Sequence, residues 1–538
     1  MNAPDHLPIL DRSPIARFIR WLFSWRGLRC LLIVLAWTAT VIVLFYGEEN
    51  WRGRRAWNAY RRQLEARGEP LDFRAFIPKP VPDEQNFAAT PFVKSWFERP
   101  PPDSNQLWQD EYNQASANVS SPKANREPAE RHLVDLTAWE TAFAAIRSGE
   151  PDHDEEPESI QGDAASRAKA ALAVLEELKA DEAVWTELRL ASRRPFVRYP
   201  VKYEETDPWA ILLPHLASAK AACLRLQLKT CAELAAGQSE NALADVRLLL
   251  YLADSIKEEP ILISHLVRLA CLQIALQPIW EGLAEHRWSE AQLQELQTRL
   301  RQYDFLTDTK RPLGGERAAV VLTVDLIRER GFDYLLAIGS EQSPASSSRA
   351  LANLLGRIIP RGWYCQEQLN YCRLFQMGLG TGLEAANKRL SPAQTDAAAQ
   401  QLERAIEGSA RSDVGRGLSA IFHHRVIARK MLPALSRVLR KSAVAQTAAN
   451  QAALACALER YRLAQGQFPE QLDALAPRFM RQPPHDVLTG EPYKYRRIED
   501  GQFVLYSIGW DGKDDGAVPG RVLYDENQGD WIWRYPSK

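Results

Sequence analysis

Two stretches near the C-terminus, ALERYRLAQGQFPEQLDALAP (residues 457–477) and YKYRRIEDGQFVLYSIGWDGKDDG (493–516), carry the clearest fold signal in the chain. Leu454, Ala457, Leu458 and Tyr461 fall at i, i+3, i+4 and i+7, the spacing of one apolar helical stripe. Gly466 follows the last periodic residues, where a helix end favours glycine. Pro469 suits the first turn of a second, short helix whose apolar face is Leu472 and Leu475 and which Pro477 ends. Tyr493–Arg497 and Gln502–Ile508 are rich in aromatic and β-branched residues, and the 498–501 connection fits a hairpin. Asp530–Tyr535 (DWIWRY) offers a third strand. A lone hairpin is marginal in water, so this one is expected to pack on the preceding helix.

That order of elements resembles the globular head of the major pseudopilin of type II secretion systems. The most diagnostic pieces are LERYRLAQGQFP (458–469), PPHDVLTGEPYKY (483–495) and LYSIGWDGKDDG (505–516), within a resemblance that spans residues 434–516. It implies an α+β domain over 434–538 and a calcium-binding loop in which Asp511, Asp514 and Asp515 are the matching ligands. The carboxylates by themselves point the same way, because three within five residues repel one another unless solvated or neutralised by a cation. The other reading of the loop is a solvated, glycine-rich turn. It is not an EF-hand, since Lys513 holds the third position and Val522 the twelfth. The family's later acidic positions become AVPGR here, with Asp525 and Glu526 as substitutes. Two features depart from the pseudopilin pattern: no prepilin-peptidase site precedes the apolar segment, and residues 47–433 lie between that segment and the head.

Leu28–Tyr46 is apolar apart from Arg29 and two threonines. Nineteen residues at about 1.5 Å each reach roughly 28 Å, close to the hydrocarbon thickness of a bilayer. Tyr46 and Trp51 stand where interfacial anchors do. A membrane anchor is the favoured reading over a cleaved signal peptide, because Phe45-Tyr46-Gly47-Glu48 offers no small-x-small cleavage site; a buried helix is the third alternative. Arginines flank the span evenly, so charge does not orient it. The pseudopilin resemblance implies a cytoplasmic tail (1–27) and an exported body. Within the tail, Ile15, Phe18, Ile19, Leu22 and Phe23, with Trp21 and Trp25, leave two readings open, an amphipathic approach helix on the inner surface and a disordered tail. The location expected is therefore the cell inner membrane, single-pass, with the bulk of the chain periplasmic.

The remaining chain divides into an exit region (48–131) and a helical domain (132–433). WRGRRAWNAYRRQLEARGEPLD (51–72) reads as a helix ending near Gly68, with Trp57, Tyr60 and Leu64 on one face. FIPKPVPDEQNFAATPF (76–92) reads as extended, and a polar loop begins at Pro100. In the helical domain, Ser289-Glu-Ala-Gln292 is a capping box and Ser391-Pro-Ala-Gln394 repeats the arrangement. No clean repeat period emerges, so an irregular helical-hairpin solenoid and a compact bundle both remain open. Glu150–Glu158 is an acidic loop and Ser340–Ser348 a serine-rich linker. RRPFVRYPV (193–201) and LPHLASAKAACLRLQL (213–228) resemble membrane-anchored proteins common in Planctomycetes and Verrucomicrobia, a resemblance that implies no activity. The fold class is thus mainly α, with an N-terminal transmembrane helix and a small α+β domain carrying an antiparallel sheet.

Composition narrows the function. The 67 basic and 68 acidic side chains balance, so no field exists to collect nucleic acid. Seven cysteines without a CxxC exclude a disulfide scaffold and a zinc ribbon. His423-His424 are adjacent, which on a helix points them about 100° apart, and Glu316 in LGGER lacks an assigned partner. No nucleophile elbow, Walker loop or dinucleotide fingerprint is present. No catalytic or cofactor-binding residue is assigned. The expected function is an envelope scaffold or adaptor, possessing the membrane and other envelope or secretion proteins as partners; the alternative is an envelope hydrolase whose carboxylates meet only in the fold.

Overall fold

A computed structural model describes residues 24–98, 111–119, 130–148, 164–205, 207–338, 358–379, 382–384, 387–407, 423–432, 435–499 and 501–536, together with Trp21 and Gly356. The acidic loop 150–158, the serine-rich linker 340–348, most of the N-terminal tail and most of the polar loop after residue 99 lie outside the described residues. The longer helices are α1 (Trp25–Ala66), α2 (Leu136–Ser148), α3 (Ala164–Glu177), α4 (Glu182–Ala191), α5 (Pro214–Ala235), α6 (Ser239–Ser255), α7 (Leu262–Ala284), α8 (Glu290–Leu300), α9 (Lys310–Arg330), α10 (Arg361–Leu379), α11 (Pro392–Glu407) and α12 (Leu435–Gln465).

Helix α1 is where the structure departs most from a segment-by-segment reading. The apolar span and the helix after it are one element of 42 residues, capped by the Ser24 side chain, which accepts from the Gly27 amide at 3.1 Å. Its first half exposes its large apolar side chains. Its second half is amphipathic and buries Gly53, Trp57 and Leu64, the face expected from their spacing. Both α1 and α7 are long and apolar enough to cross a membrane. Helix α7 is largely enclosed by its neighbours, as a core helix is, whereas the apolar half of α1 is not.

The body is a bundle rather than a solenoid. In a solenoid each helix meets only its sequence neighbours. Here α5, α6 and α7 pack together, and both α7 and α8 also pack on α12, far along the chain. One continuous apolar core runs from Trp57 to Tyr535. A second, smaller core joins Glu111–Val119, α2 and α3 through Trp139, Phe143 and Val174 to Leu228 and Ala232 on α5. The capping box at α8 forms as its sequence dictates: the Ser289 amide donates to Gln292 Oε1 at 2.9 Å and the Gln292 amide to Ser289 Oγ at 3.4 Å. Residues 76–92 are less extended than their prolines imply. They fold into short 3₁₀ turns at Asp83–Gln85 and Phe87–Ala89, held by Asn86, which bridges to Phe196.

The C-terminal sheet has strands β1 (Lys494–Arg497), β2 (Phe503–Ser507) and β3 (Trp531–Trp533), antiparallel in that order. Its register pairs Tyr495 with Leu505 and Leu505 with Trp533. A two-stranded ribbon, Leu383–Glu384 with Arg389–Leu390, lies apart from it. Gly466 adopts φ +80° at the end of α12, and the expected second helix is a single 3₁₀ turn, Leu472–Leu475, with both leucines buried. Helix α12 does more than support this sheet. From Ala452 to Leu458 every side chain is buried, because one side faces the sheet and the other faces α7 and α8. The terminal strand is tied back as well: Trp280 on α7 donates to the Arg534 carbonyl at 2.9 Å, and Gln451 on α12 to that of Trp531 at 2.7 Å. The head and the helical body therefore share one helix and one core.

Candidate functional site

The acidic loop follows β2, and the carboxylates of Asp511 and Asp514 accept from protein donors. Asp511 accepts from the Lys513 amide at 3.2 Å through one oxygen and from the Gly529 amide at 3.4 Å through the other. Asp514 accepts from the Gly516 amide at 3.2 Å and the Tyr506 hydroxyl at 3.1 Å, and Lys494 lies 3.5 Å from its second oxygen. Asp515 enters through its main chain, its amide donating to Asp530 at 3.5 Å. Asp525 accepts from the Arg521 and Asn527 amides, both at 2.9 Å, and Glu526 pairs with Lys441 at 3.0 Å. Among the described residues no group of three or more His, Cys, Asp or Glu side chains is assembled to hold a metal ion. Calcium takes six to eight oxygens, and here backbone amides and Lys494 already occupy several of those lone pairs. Calcium at millimolar concentration is therefore expected to move the melting temperature by less than about one degree, since only a ligand that binds the folded state stabilises it. A rise of several degrees, absent with magnesium and lost in Asp514→Asn, would show instead that calcium displaces Lys494 and the amides.

Ionisable groups inside the body meet in clusters of opposite charge. Lys229 on α5 donates to Glu233 and, at 2.6 Å, to Asp245 on α6, which also receives Arg189 from α4. Burial, and then Asp245, push the Glu233 carboxyl upward. Arg268 on α7 joins Asp254 at 3.0 Å to Asp308 at 2.8 Å. His215 is stacked on Tyr199 at 4.3 Å and meets Glu259 at 2.6 Å, which also takes the Ser264 hydroxyl at 2.5 Å. Several of these partners come from different elements, Asp245 meeting Arg189 of α4 and Glu259 meeting His215 of α5, which is why periodicity alone did not single them out. Glu316 is half-buried, and its loss of solvation raises the carboxyl, with the Leu262 amide as its hydrogen-bond donor. His423 and His424 occupy a turn rather than a helix; His424 packs edge-on against Trp363 at 4.8 Å.

His265 gives this interior a pH signature. Its Nε2 lies 3.0 Å from Ser442 Oγ and 3.1 Å from Thr309 Oγ1, and burial, then Arg268, hold its pKa at about 4. Unfolded histidine titrates near 6.5. Between these values the unfolded chain binds more protons, so stability is complete above about pH 6.5 and falls as pH drops toward 4. At about 1.4 kcal/mol per pKa unit, His265 is expected to cost about 2 kcal/mol between pH 7.5 and 5, measured by urea unfolding. A His265→Gln variant should lose that share of the slope.

A groove of about 590 Å³ lies between α6 and α8. Leu250 and Leu296 form part of its lining, with Arg247, Tyr251, Glu295 and Arg299 around them. Glu295, the one carboxylate lining it, is held by Arg247 at 2.6 Å.

At the junction of α1 with α10 the two backbones come into close contact. A Cβ on Gly53 would stand 2.2 Å from the Gly362 carbonyl oxygen, and one on Gly362 would stand 2.1 Å from that of Glu49. Only glycines let the two backbones approach so closely. Around that contact the Gly362 amide donates to Asn50 Oδ1 at 2.7 Å, and Glu49 accepts from Trp363 at 3.0 Å and Gln366 at 3.1 Å. One turn earlier the Tyr46 hydroxyl donates to the Ile358 carbonyl. Farther along, Tyr60 donates to Gln376 at 2.8 Å. The structure thus defines a mainly helical protein whose N-terminal apolar helix, long enough to span a membrane, continues without a joint into the body. No protein-family model matches the chain, and neither a curated protein nor a solved structure matches it.

Proposed function

We infer that the protein is a membrane-tethered scaffold or adaptor of the cell envelope. In this reading α1 is a single inner-membrane anchor, the body stands on the periplasmic side, and the helical surface and pilin-like head bind other envelope or secretion proteins. The observation that carries the reading is the clamp between α1 and α10, which fixes the body directly to the apolar helix. An enzyme needs an anchor only to stay near its substrate, whereas a scaffold gains from a fixed orientation of its binding faces. The open groove between α6 and α8 supports a protein-contact role, because its only lining carboxylate is tied to an arginine.

The full chain is expected to remain with membranes through an alkaline carbonate wash, and a chain beginning at Glu48 to be released as a folded, soluble protein. A reporter fused after Lys538 is expected to be active only outside the cytoplasm. Loss of the full chain to the carbonate wash would end the anchor reading, and a cytoplasmic reporter signal would reverse the orientation.

A further inference from the structure

Helix α10 runs alongside α1 in the same direction: its start meets Glu49, Asn50 and Gly53, and its far end meets Tyr60. Its N-terminal end, with residues 358–361 leading into it, therefore points toward the apolar half of α1. The height of that end can be fixed. Helical side chains tilt toward the helix N-terminus, so the Tyr46 hydroxyl lies on the apolar side of its own Cα. That hydroxyl is bonded to the Ile358 carbonyl. Ile358 is thus level with the last turn of the apolar span, although more than three hundred residues of chain separate the two.

Ile358 is 55% exposed there, and Trp51, on the next turns of α1, is 61% exposed with the Arg55 guanidinium 5.1 Å from its ring. Arg54, Arg55 and Arg361 are exposed around them, whereas Arg52 is tied to Glu49 at 2.6 Å. From Tyr46 to Arg55 a helix rises only about 14 Å, so these cations fall within or just above the headgroup layer of a bilayer that α1 spans. An apolar side chain and a tryptophan at the hydrocarbon boundary, with arginines above them, match the layered polarity of a membrane interface.

We propose that the chain makes a second contact with the bilayer through Ile358 and Trp51, and that Arg54, Arg55 and Arg361 form a collar for anionic lipid headgroups. This rests on the reading of α1 as a membrane span. The occupant is the lipid surface because the patch is continuous with the apolar face of α1 and because its cations lie on the side facing phosphates. The clamp prevents the body from rotating away, so the contact sets the angle at which the head and the groove are presented.

The full chain carrying Cys30→Ser, with one added cysteine bearing a nitrobenzoxadiazole probe, is reconstituted into phosphatidylcholine–phosphatidylglycerol vesicles containing headgroup-nitroxide lipid. The other native cysteines are buried. A probe at Ile358→Cys is expected to be quenched several-fold more than one at Asp473→Cys in the head. A probe at Val41→Cys serves as the control for the span itself. If Val41 is quenched and Ile358 behaves like Asp473, the second contact is wrong while the span stands; if Val41 is not quenched, the span reading fails and takes this proposal with it. Shielding of Ile358 in native membranes but not in vesicles would assign the face to a partner protein and overturn the proposal. Energy transfer from the Ile358 probe should favour labelled phosphatidylglycerol over equally labelled phosphatidylcholine. Arg54→Gln, Arg55→Gln and Arg361→Gln together should remove that preference; its persistence would overturn the collar.

Discussion

Asp245→Ala is expected to lower the free energy of unfolding by about 3–5 kcal/mol, the usual cost of leaving buried charge without its partner. Asp245 is fully buried on α6 and receives both Lys229 from α5 and Arg189 from α4. Without it, Lys229 retains Glu233, whose carboxyl is itself disfavoured as an anion by burial. The two cations would then face each other with too little negative charge between them. Truncation alone is not the cause, and a second variant shows this. Asp245→Leu combined with Lys229→Met and Glu233→Gln removes the charges that meet Lys229, leaves Arg189 with Glu182, and is expected to recover most of the loss, because paired buried charges contribute little beyond their mutual compensation. Urea unfolding at neutral pH reads both. A loss below about 1 kcal/mol for Asp245→Ala would mean that water reaches the cluster.

Leu458→Ala is expected to cost about 2–5 kcal/mol. Leu458 is fully buried on α12, in a stretch where the neighbouring side chains from Ala452 onward are buried too. In a close-packed interior the surroundings relax only partly into the lost volume. Because α12 is shared, the variant should weaken the sheet and the helical body together, giving one cooperative transition rather than early melting of the head. A change below about 0.5 kcal/mol, typical of a surface position, would place this face of α12 in solvent.

The α12 stripe and the hairpin were legible because each is written in consecutive residues. Leu454, Leu458 and Tyr461 repeat with the helical period, and β1 and β2 are joined by a loop short enough to dictate their pairing. The apolar span was legible for the same reason: its length and polarity are measured along one helix. What faces the other side of α12 was not legible. AVAQTAANQAALACALE (443–459) reads as a helix with a stripe, and its many alanines do not say which partner they admit. The three aspartates of the 511–516 loop were found as a cluster, but the donors that occupy them, Lys494 and the Gly529 amide, come from other turns of the chain.

The sequence by itself determined where helices, strands and the apolar span lie, since backbone hydrogen bonding and side-chain polarity act over one or two turns. Only the tertiary structure decided that α1 continues unbroken into the body, that Gly53 meets Gly362, that Ile358 stands beside Tyr46, and that Lys229, Asp245 and Arg189 close on one another. Each of these depends on which faces of distant helices come together. That choice is made by the fit of whole surfaces and by the cost of leaving a buried charge or polar group unpaired, and no local pattern contains it.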